Sequence, residues 1–333
     1  MKNILVFCPR DWHHPKAGFV ERYAHKVFSR IAAQGNYVGW VSQNRLFPFS
    51  AASRLPHIEL LDGIQVARLA PSLLYRTMAQ LFLTRLEKRK GPTRRMDAII
   101  DCVVGEPLPL SNATAIPIIP LVFNLSKRMR ANDSPPGPVI AATTQARKQL
   151  AQAGFPQNFL VQAPAGVDID VPPEQEAPSP GVHAAIVAVD DNPRRFKSAL
   201  RSVQHDGLKI SASLLGSRRV SESDRRNLYR RAQIGYCGPG AEEEALAFAA
   251  HGVPVICPDT DAAREFVIHG ETGLFYTPGD TRALADCIRT LANDELLRKR
   301  MAANARQTAE ARSWDRTAGL ILATIENLER MDP

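Results

Sequence analysis

One stretch in the second half of the chain, residues 252–280, constrains the fold more than any other part. It reads GVPVICPDTDAAREFVIHGETGLFYTPGD. An apolar run over residues 253–257 stops at Pro258, and a polar turn leads into a short helical register near Ala262. Two glycines then mark a second turn before Leu274. This order of strand, loop, helix and loop predicts an α/β fold.

The loop 258–264 is a predicted anion site. In an α/β sheet, ligands bind beyond the carboxyl ends of the strands, where the next helix presents unpaired backbone N–H groups. The amides of this loop are therefore expected to hold a negatively charged group. Glu265 follows just inside the helix and is placed to reach a bound hydroxyl.

The same stretch resembles the donor-domain signature of nucleotide-sugar-dependent glycosyltransferases of GT-B fold, in particular glycosyltransferase family 4 (group 1). That signature is a small-residue loop, a Glu, V-x-x-G-x-x-G-x-L and Pro-Gly-Asp. The matching residues are Glu265, Val267, Gly270, Gly273, Leu274, Pro278, Gly279 and Asp280. The family's two glycines before the Glu are absent, and Asp261, Ala262 and Ala263 take their place as donor-binding candidates.

Length and composition agree with a two-domain globular protein. A chain of 333 residues fits two domains of about 150 residues each. No apolar run approaches the roughly 18 residues of a membrane span, and the first residues lead straight into a strand, so a cytoplasmic location is expected. The five cysteines are scattered and never spaced C-x-x-C, which argues against a disulfide framework and a zinc knuckle.

Charge is unevenly shared between the two halves. Residues 1–170 carry 21 Lys and Arg against 11 Asp and Glu, a net charge of +10, whereas the remainder carries 21 against 23, a net of −2. This asymmetry suggests an anionic partner, either a phospholipid surface, a diphosphate-linked lipid or a nucleic acid. Nucleic acid ranks last because aromatic interleaving and a recognition motif are both missing.

The chain opens as a βαβ unit. A strand over residues 2–7 precedes a polar loop, a helix from about Phe19 to Gln34 and a second strand over residues 37–42. Gly18 and Glu21 resemble the family's G-x-x-E, where the glycine lets backbone approach the donor phosphates or the acceptor. A simple helix-start glycine is an equal alternative. His13, in the polar loop, is a catalytic candidate.

A basic segment, residues 73–95, follows a predicted hairpin whose turn is Asp62-Gly63. A helix in this segment is predicted to align Leu74, Met78, Leu81, Phe82 and Leu86 on an apolar face. It ends among the cations Arg85, Lys88, Arg89, Lys90, Arg94 and Arg95. Two interpretations stay open. The segment is either a peripheral contact with anionic membrane or a core helix that ends in a solvated basic loop.

Two carboxylates near the end of the next strand are further catalytic candidates. In relatives this strand end faces the cleft and often carries a His, which is missing here. Asp101 or Glu106 is then available to orient an acceptor hydroxyl. Asp101 equally suits a strand-end cap.

The resemblance predicts two Rossmann-like domains that face each other across a cleft. The acceptor-binding domain is 1–170, because Pro164, Gly166, Val167 and Asp168 match the family's P-x-G-V-D. The Pro-rich residues 171–181 are the linker, 182–312 form the nucleotide-sugar domain, and 313–333 form a closing helix that crosses back. The second domain is expected to lack about one βα unit of the family pattern.

Three cations after the first strand of the second domain are the candidates for the donor diphosphate. They are Arg194, Arg195 and Lys197, although the family's G-R-x-x-x-K-G is not preserved. Fixed positive charge stabilises a departing diphosphate in the transition state. A solvated basic turn is the alternative. The backbone from Gly216 to Arg218 matches the region where relatives hold the nucleotide base.

The family's paired glutamates are missing from this chain. Their positions fall on Pro239 and Ala247. Glu243 and Glu244 lie one helical turn before Ala247 on the same face, where they either reach a ribose or offset the helix dipole. The donor-site motif is therefore degenerate.

Two functional hypotheses follow from the resemblance. The first is a retaining, hexosyltransferase-type enzyme that moves a sugar from a UDP- or GDP-linked donor to a hydroxyl acceptor. A lipid-linked acceptor is one of the candidates. The enzyme is expected to use no cofactor and no metal, because Asp-x-Asp and a His/Cys cluster are both absent from the sequence. Its context is bacterial glycan, lipid-linked saccharide or glycosylated metabolite synthesis. The second is a catalytically silent GT-B module that binds a partner or acceptor.

Overall fold

A computed structural model describes residues 1–43, 58–69, 74–88, 95–111, 113–125, 137–169, 182–216 and 222–331. The chain forms two compact units, Met1–Ala165 with Trp314–Pro333, and Gly166–Ser313. The sequence placed the corresponding boundaries at residues 170 and 312, a few positions away. The predicted linker 171–181 lies outside the described residues.

The first unit is built on a mostly parallel sheet. Within the described ranges its strand order is β3-β4-β2-β1-β5-β6-β7-β8. The strands are β1 (Asn3–Phe7), β2 (Tyr37–Ser42), β3 (Ile58–Leu61), β4 (Ile64–Arg68), β5 (Ala98–Gly105), β6 (Ile118–Leu125), β7 (Val139–Ala141) and β8 (Leu160–Gln162). Only β3 and β4 pair antiparallel among these described strands. Asp62 and Gly63 join them with φ of 49° and 78°, the positive values of a type I′ turn, which confirms the predicted hairpin.

Four described helices belong to this unit. They are α1 (Phe19–Ala33), α2 (Tyr75–Lys88), α3 (Thr144–Gln152) and α10 (Trp314–Met331). The α1 helix buries Tyr23, Ala24 and Val27 against the sheet, as its apolar periodicity predicts. The C-terminal helix α10 packs against α1, and the Trp314 ring lies edge-on to Tyr23.

The rotation of α2 differs from the predicted one. Tyr75, Ala79 and Leu83 are buried, whereas Leu74 and Leu81 are 54% and 44% exposed. The core interpretation of this apolar face therefore does not hold for the two leucines, and the membrane interpretation stays a prediction. The Tyr75 hydroxyl donates to the Val41 carbonyl at 2.8 Å, and this tertiary hydrogen bond fixes which face points inward.

The second unit is built on a parallel sheet with the order β10-β9-β11-β12-β13 in the described residues. The strands are β9 (Ala184–Val189), β10 (Ile210–Leu215), β11 (Ile234–Cys237), β12 (Val255–Pro258) and β13 (Gly273–Tyr276). The helices are α4 (Arg194–His205), α5 (Glu222–Arg231), α6 (Glu244–Ala250), α7 (Asp261–Arg264), α8 (Thr281–Asn293) and α9 (Glu295–Glu310). The strand–loop–helix–loop–strand order predicted for residues 252–280 is confirmed by β12, α7 and β13.

Both cores are apolar and closely packed. In the second unit, Phe196, Tyr236 and Ile288 join small residues between the sheet and the helices α4 and α8. All five cysteines are free, and four are buried. Across the described residues, we found no helix with the length and apolar character needed to cross a bilayer.

Candidate functional site

The carboxyl ends of the five parallel strands meet at one edge of the second sheet. The residues that follow the strands there are Asp190, Gly216, Gly238, Asp259 and Thr277. Ligands of open α/β sheets bind at this edge. The donor-binding candidates named from the sequence come from the loops and helix starts along it.

A buried carboxylate and two tyrosine hydroxyls form a polar chain at this edge. Asp190 Oδ1 accepts from the Asn192 amide at 2.8 Å, and Oδ2 accepts from the Tyr236 hydroxyl at 3.4 Å. That hydroxyl lies 3.1 Å from the hydroxyl of Tyr276. Burial, followed by these two polar neighbours, raises the pKa of Tyr236, so its hydroxyl stays protonated. The chain joins β9, β11 and β13 and makes the floor of the site rigid.

Gly238 is required by this arrangement. A methyl group in place of its hydrogen would lie 2.7 Å from Asp190 Oδ2. Only a residue without a side chain leaves room for the buried carboxylate there. Sequence reasoning missed Asp190, Tyr236, Gly238 and Tyr276. The sequence did contain one signal for Asp190, because it is an acidic residue directly after a buried strand.

Arg195 is the diphosphate candidate that the structure places nearest to this polar chain. It begins α4 together with Arg194 and Lys197, and all three side chains are exposed. The guanidinium of Arg195 approaches Gly279, and it lowers the otherwise raised pKa of Tyr276. Arg195 therefore supplies positive charge above the ends of β9 and β13. Arg194 and Lys197 share the same exposed helix start.

The loop that carries Asp261, Ala262 and Ala263 forms the single turn of α7. The Thr260 hydroxyl accepts from the Ala263 amide at 3.1 Å, and the Thr260 carbonyl accepts from the amide of Arg264. Two of the amides expected to hold an anion are thus used inside the turn.

Glu265 is largely buried, with 9% of its surface exposed. Its backbone carbonyl accepts a hydrogen bond from the Arg312 guanidinium at 2.8 Å. This contact ties the end of α7 to the last residues of the unit. The role predicted for the Glu265 side chain toward a bound hydroxyl stays a prediction.

Glu244 is committed to a neighbouring helix. Its Oε1 pairs with the Arg225 guanidinium, and its Oε2 accepts from the Tyr229 hydroxyl at 2.7 Å. Burial, followed by Glu244, raises the pKa of Tyr229. Glu243 stands at the N-cap of α6 without capping through its side chain. Glu244 therefore fastens α6 to α5, a use that neither sequence-based alternative contained.

A third carboxylate in this run, Glu242, is buried. Its Oε2 accepts from the Gly240 amide at 2.9 Å, which closes the loop between β11 and α6. Sequence reasoning did not single it out, because its neighbours Glu243 and Glu244 matched the expected helical face better.

Of the residues predicted to hold the nucleotide base, Gly216 to Arg218, the structure describes only Gly216. Gly216 follows β10, and a methyl group on it would lie 3.7 Å from Asp191 Oδ1, which is an ordinary contact. Arg218 lies outside the described residues.

In the first unit, a buried ion pair supports the loop that holds His13. Asp11 Oδ2 accepts from Arg68 Nε at 2.7 Å, and Asp11 Oδ1 accepts from the His13 amide at 2.9 Å. Arg68 also pairs with Glu59 at 3.0 Å. The imidazole of His13 is itself exposed and tilted against Trp12.

Gly18 and Glu21 form a cap at the start of α1. The Gly18 amide donates to Glu21 Oε2 at 2.7 Å, as in a capping box. Arg10 lies 3.5 Å from the other carboxylate oxygen. The two residues of the G-x-x-E motif therefore contact each other, and Glu21 is buried at the helix start.

Asp101 and Glu106 occupy contrasting environments. Asp101 is only 2% exposed, and its Oδ2 accepts from the Leu108 amide at 2.8 Å. Burial raises the pKa of Asp101 to about 7, against the opposing effect of that hydrogen bond. Glu106 is exposed and lies 4.0 Å from Arg76. Asp101 thus anchors the loop after β5, the capping alternative left open by the sequence, while Glu106 faces solvent.

Among the described residues, no three His, Cys, Asp or Glu side chains lie close enough together to hold a metal ion.

Residues 204–308, which contain β10 to β13 and the loops between them, match the family model of "Glycosyl transferases group 1". This part of the chain is therefore similar to the group 1 glycosyltransferases. A phosphatidyl-myo-inositol mannosyltransferase from Mycobacterium leprae is 31% identical to it over 140 residues, 40% of this chain. The chain spans 36% of the length of that relative.

Solved structures that are similar in fold cover nearly the whole chain. A sucrose-phosphate synthase from Thermosynechococcus elongatus aligns over 99% of this chain and 100% of its own, with a TM-score of 0.68 and 16% identity. The Anabaena protein HepE in complex with UDP-glucose aligns over 98% and 100%, with a TM-score of 0.66 and 17% identity. The GT-B fold class expected from the sequence is confirmed, with two mostly parallel sheets in two Rossmann-like units.

Proposed function

We propose that this protein is a retaining glycosyltransferase that moves a sugar from a nucleotide-diphosphate donor to a hydroxyl acceptor. The observation that carries the proposal is the group 1 match over residues 204–308, which includes the carboxyl ends of four strands of the second sheet. HepE was solved with UDP-glucose, which supports a nucleotide-sugar donor, UDP- or GDP-linked. Sugar transfer from such a donor needs no additional cofactor.

Positive side chains are proposed to replace a metal at the donor diphosphate. Arg195 stands above the polar chain of Asp190 and the two tyrosines, with Arg194 and Lys197 beside it. Cleavage of the glycosyl–phosphate bond leaves negative charge on the departing diphosphate. Fixed cations stabilise that charge more in the transition state than in the ground state.

Retention is proposed to follow from attack on the face that the diphosphate leaves. The departing phosphate then helps to deprotonate the acceptor hydroxyl, and the protein contributes position and charge. Glu106 and His13 are the exposed side chains of the first unit available to orient the acceptor. Asp101 is buried and supports the loop that carries Glu106.

A lipid-linked acceptor at the inner face of a membrane is part of the proposal. The exposed Leu74, just before α2, and Leu81 on that helix share a stripe with Arg85 and Lys88. No described acidic side chain forms an ion pair with Arg85, Lys88 or Arg95. Apolar side chains beside cations suit an anionic headgroup layer. The name of the mannosyltransferase relative contains a phosphatidyl-inositol lipid, which supports a lipid-linked acceptor.

Calorimetric titration with UDP and with GDP tests the donor site, followed by measurement of donor hydrolysis and transfer. We expect one of the two nucleotides to bind at micromolar to millimolar concentration and its sugar conjugate to be consumed. Failure of both nucleotides to bind would reject the transferase.

Liposome sedimentation tests the membrane contact separately. We expect salt-sensitive binding to vesicles that contain anionic lipid, which Leu81→Ser weakens. Leu296→Ser is the matched control, because Leu296 is 82% exposed and belongs to the second unit. Equal binding to neutral and anionic vesicles would contradict the proposed contact with an anionic membrane.

A catalytically silent GT-B module is the second candidate. Glu244 is held by Arg225 and Tyr229, and Pro239 and Ala247 stand where the family has its two glutamates. A site without carboxylates for the sugar and the ribose retains the fold but lacks the usual donor contacts. Absence of binding to any common nucleotide sugar, in a protein that remains folded, would favour this candidate.

A further inference from the structure

The second unit contains a pocket beside the outer edge of its sheet, and Tyr276, whose hydroxyl ends the polar chain of Asp190, is one of its lining residues. Its volume is about 540 Å³, within the range of about 300–1,000 Å³ typical of small-molecule sites. Lining residues include Asp259, Arg264, Ile268, His269, Phe275 and Thr277. They come from the end of β12, from α7 and the loop after it, and from β13, which is the edge strand.

One wall of the pocket is aromatic. The rings of His269 and Phe275 are stacked, with centroids 5.6 Å apart and an angle of 20° between their planes. His269 Nδ1 accepts from the Phe275 amide at 2.9 Å. In the neutral imidazole, Nε2 therefore carries the hydrogen and is available as a donor. Aromatic faces carry partial negative charge and attract the weakly positive C–H groups of a ligand.

The lining also carries a pair of opposite charges, Arg264 and Asp259. Arg264 donates to Asp259 through Nε at 2.8 Å and through its terminal nitrogen at 3.0 Å. Both side chains remain accessible, at 58% and 39% exposed. The pair is neutral as a whole, so it does not favour an anion such as a free phosphate. It presents an acceptor and a donor side by side, which matches two adjacent hydroxyl groups.

Pairing of an added strand with β13 does not fit this edge. The outward amide of Phe275 is already bound by His269, and the outward carbonyl of Gly273 accepts from Gly270 at 2.8 Å. An incoming strand needs such groups to be open. Side chains rather than backbone therefore define what the pocket recognises.

We propose that this pocket binds a pyranose ring of a carbohydrate, at a position that leaves the proposed nucleotide site free. The C–H face of the sugar stacks on Phe275 and His269, and two neighbouring hydroxyls bind Asp259 and Arg264. A free sugar and a sugar at the end of a glycolipid share this chemistry. The inference stands apart from the proposed transfer reaction, because it needs no donor and no acceptor chemistry.

Saturation-transfer NMR on the full chain tests the proposal, with the methyl glycosides of glucose, galactose and mannose as probes. We expect at least one glycoside to bind with a millimolar Kd. Arg264→Ala and Phe275→Leu should each weaken that binding about tenfold. Arg282→Ala is the control, since Arg282 is exposed in the same unit but outside the pocket, and it should change nothing. Vesicles that carry a glycosylated lipid, compared with the soluble glycosides, separate the two sources of the sugar.

Competition with UDP distinguishes this pocket from the donor site. We expect saturating UDP to leave the glycoside signal unchanged. Displacement by UDP, unaltered binding in Arg264→Ala and Phe275→Leu, or failure of all three glycosides to bind would each overturn the inference. Glycoside binding without any UDP binding would support this pocket and count against the proposed donor site alone.

Discussion

The hydroxyl of Tyr229 donates to the carboxylate of Glu244 at 2.7 Å, and it thereby joins α5 to the first turn of α6. Arg225, on the same helix as Tyr229, pairs with the other carboxylate oxygen. The carboxylate nearest to a missing family glutamate is thus occupied by side chains of its own unit. These contacts indicate a structural role for Glu244 and not a ligand-binding role.

Glu244→Gln should destabilise the protein and leave nucleotide affinity unchanged. The substitution removes the charge that pairs with Arg225, and breaking one partner of a largely buried pair costs on the order of 1–3 kcal/mol. Urea denaturation measures the loss, and calorimetry measures the UDP affinity. Glu271→Gln is the matched control, because Glu271 is an exposed carboxylate of the same unit, and it should be neutral in stability. A large loss of UDP affinity at unchanged stability would instead assign Glu244 to the ribose.

Gly238→Ala should destabilise the second unit by about 1–3 kcal/mol, the usual result of overpacking a closely packed region. The new methyl group would lie 2.7 Å from Asp190 Oδ2 and push the buried carboxylate away from Tyr236. Gly216→Ala is the control at the same sheet edge, because its nearest contact is an ordinary 3.7 Å. Equal effects of the two substitutions in thermal denaturation would contradict the tight fit.

Asp101→Asn should flatten the dependence of stability on pH. Burial raises the pKa of Asp101 from its ordinary 3.8 to about 7, so the folded state holds a proton that the unfolded state has released between those values. The stabilisation from this group is therefore complete below about pH 4 and is lost as the pH rises to about 7. At about pH 8 the variant should be more stable than the parent by on the order of 1–3 kcal/mol.

The control for that experiment is Glu106→Gln, which neutralises an exposed carboxylate in the loop after β5. Urea denaturation from about pH 4 to about pH 8 provides the comparison. If Asp101→Asn lost stability at every pH by the same amount, the carboxylate would be ionised in the folded state.

Arg195→Ala should weaken UDP binding about tenfold, or about 1.4 kcal/mol, if Arg195 meets the donor diphosphate. Arg201→Ala is the control, because Arg201 is an exposed arginine on the same helix and its Nε donates to the Lys197 carbonyl. Calorimetry at low and high salt measures the UDP affinity of both variants. An identical small effect of the two substitutions would indicate general electrostatic attraction without a specific contact.

The local elements of this fold were predictable from the sequence because each depends on neighbouring residues. The apolar periodicity of α1 gives its buried face, and Asp62-Gly63 gives the hairpin between β3 and β4. The alternation of short buried strands, turns and helices in residues 252–280 predicts parallel α/β packing. Such patterns act over a few residues, so they can be read without a tertiary structure.

Tertiary structure alone decided which polar side chains meet. Asp190 and Tyr236 are 46 residues apart in sequence, and Arg68 lies 57 residues from Asp11. The rotation of α2 likewise depends on a hydrogen bond from Tyr75 to a strand far away in the chain. Buried polar groups must find partners wherever the packing brings them, and periodicity carries no information about those partners. The sequence therefore determined the architecture, and long-range packing determined which side chains are free to bind a ligand.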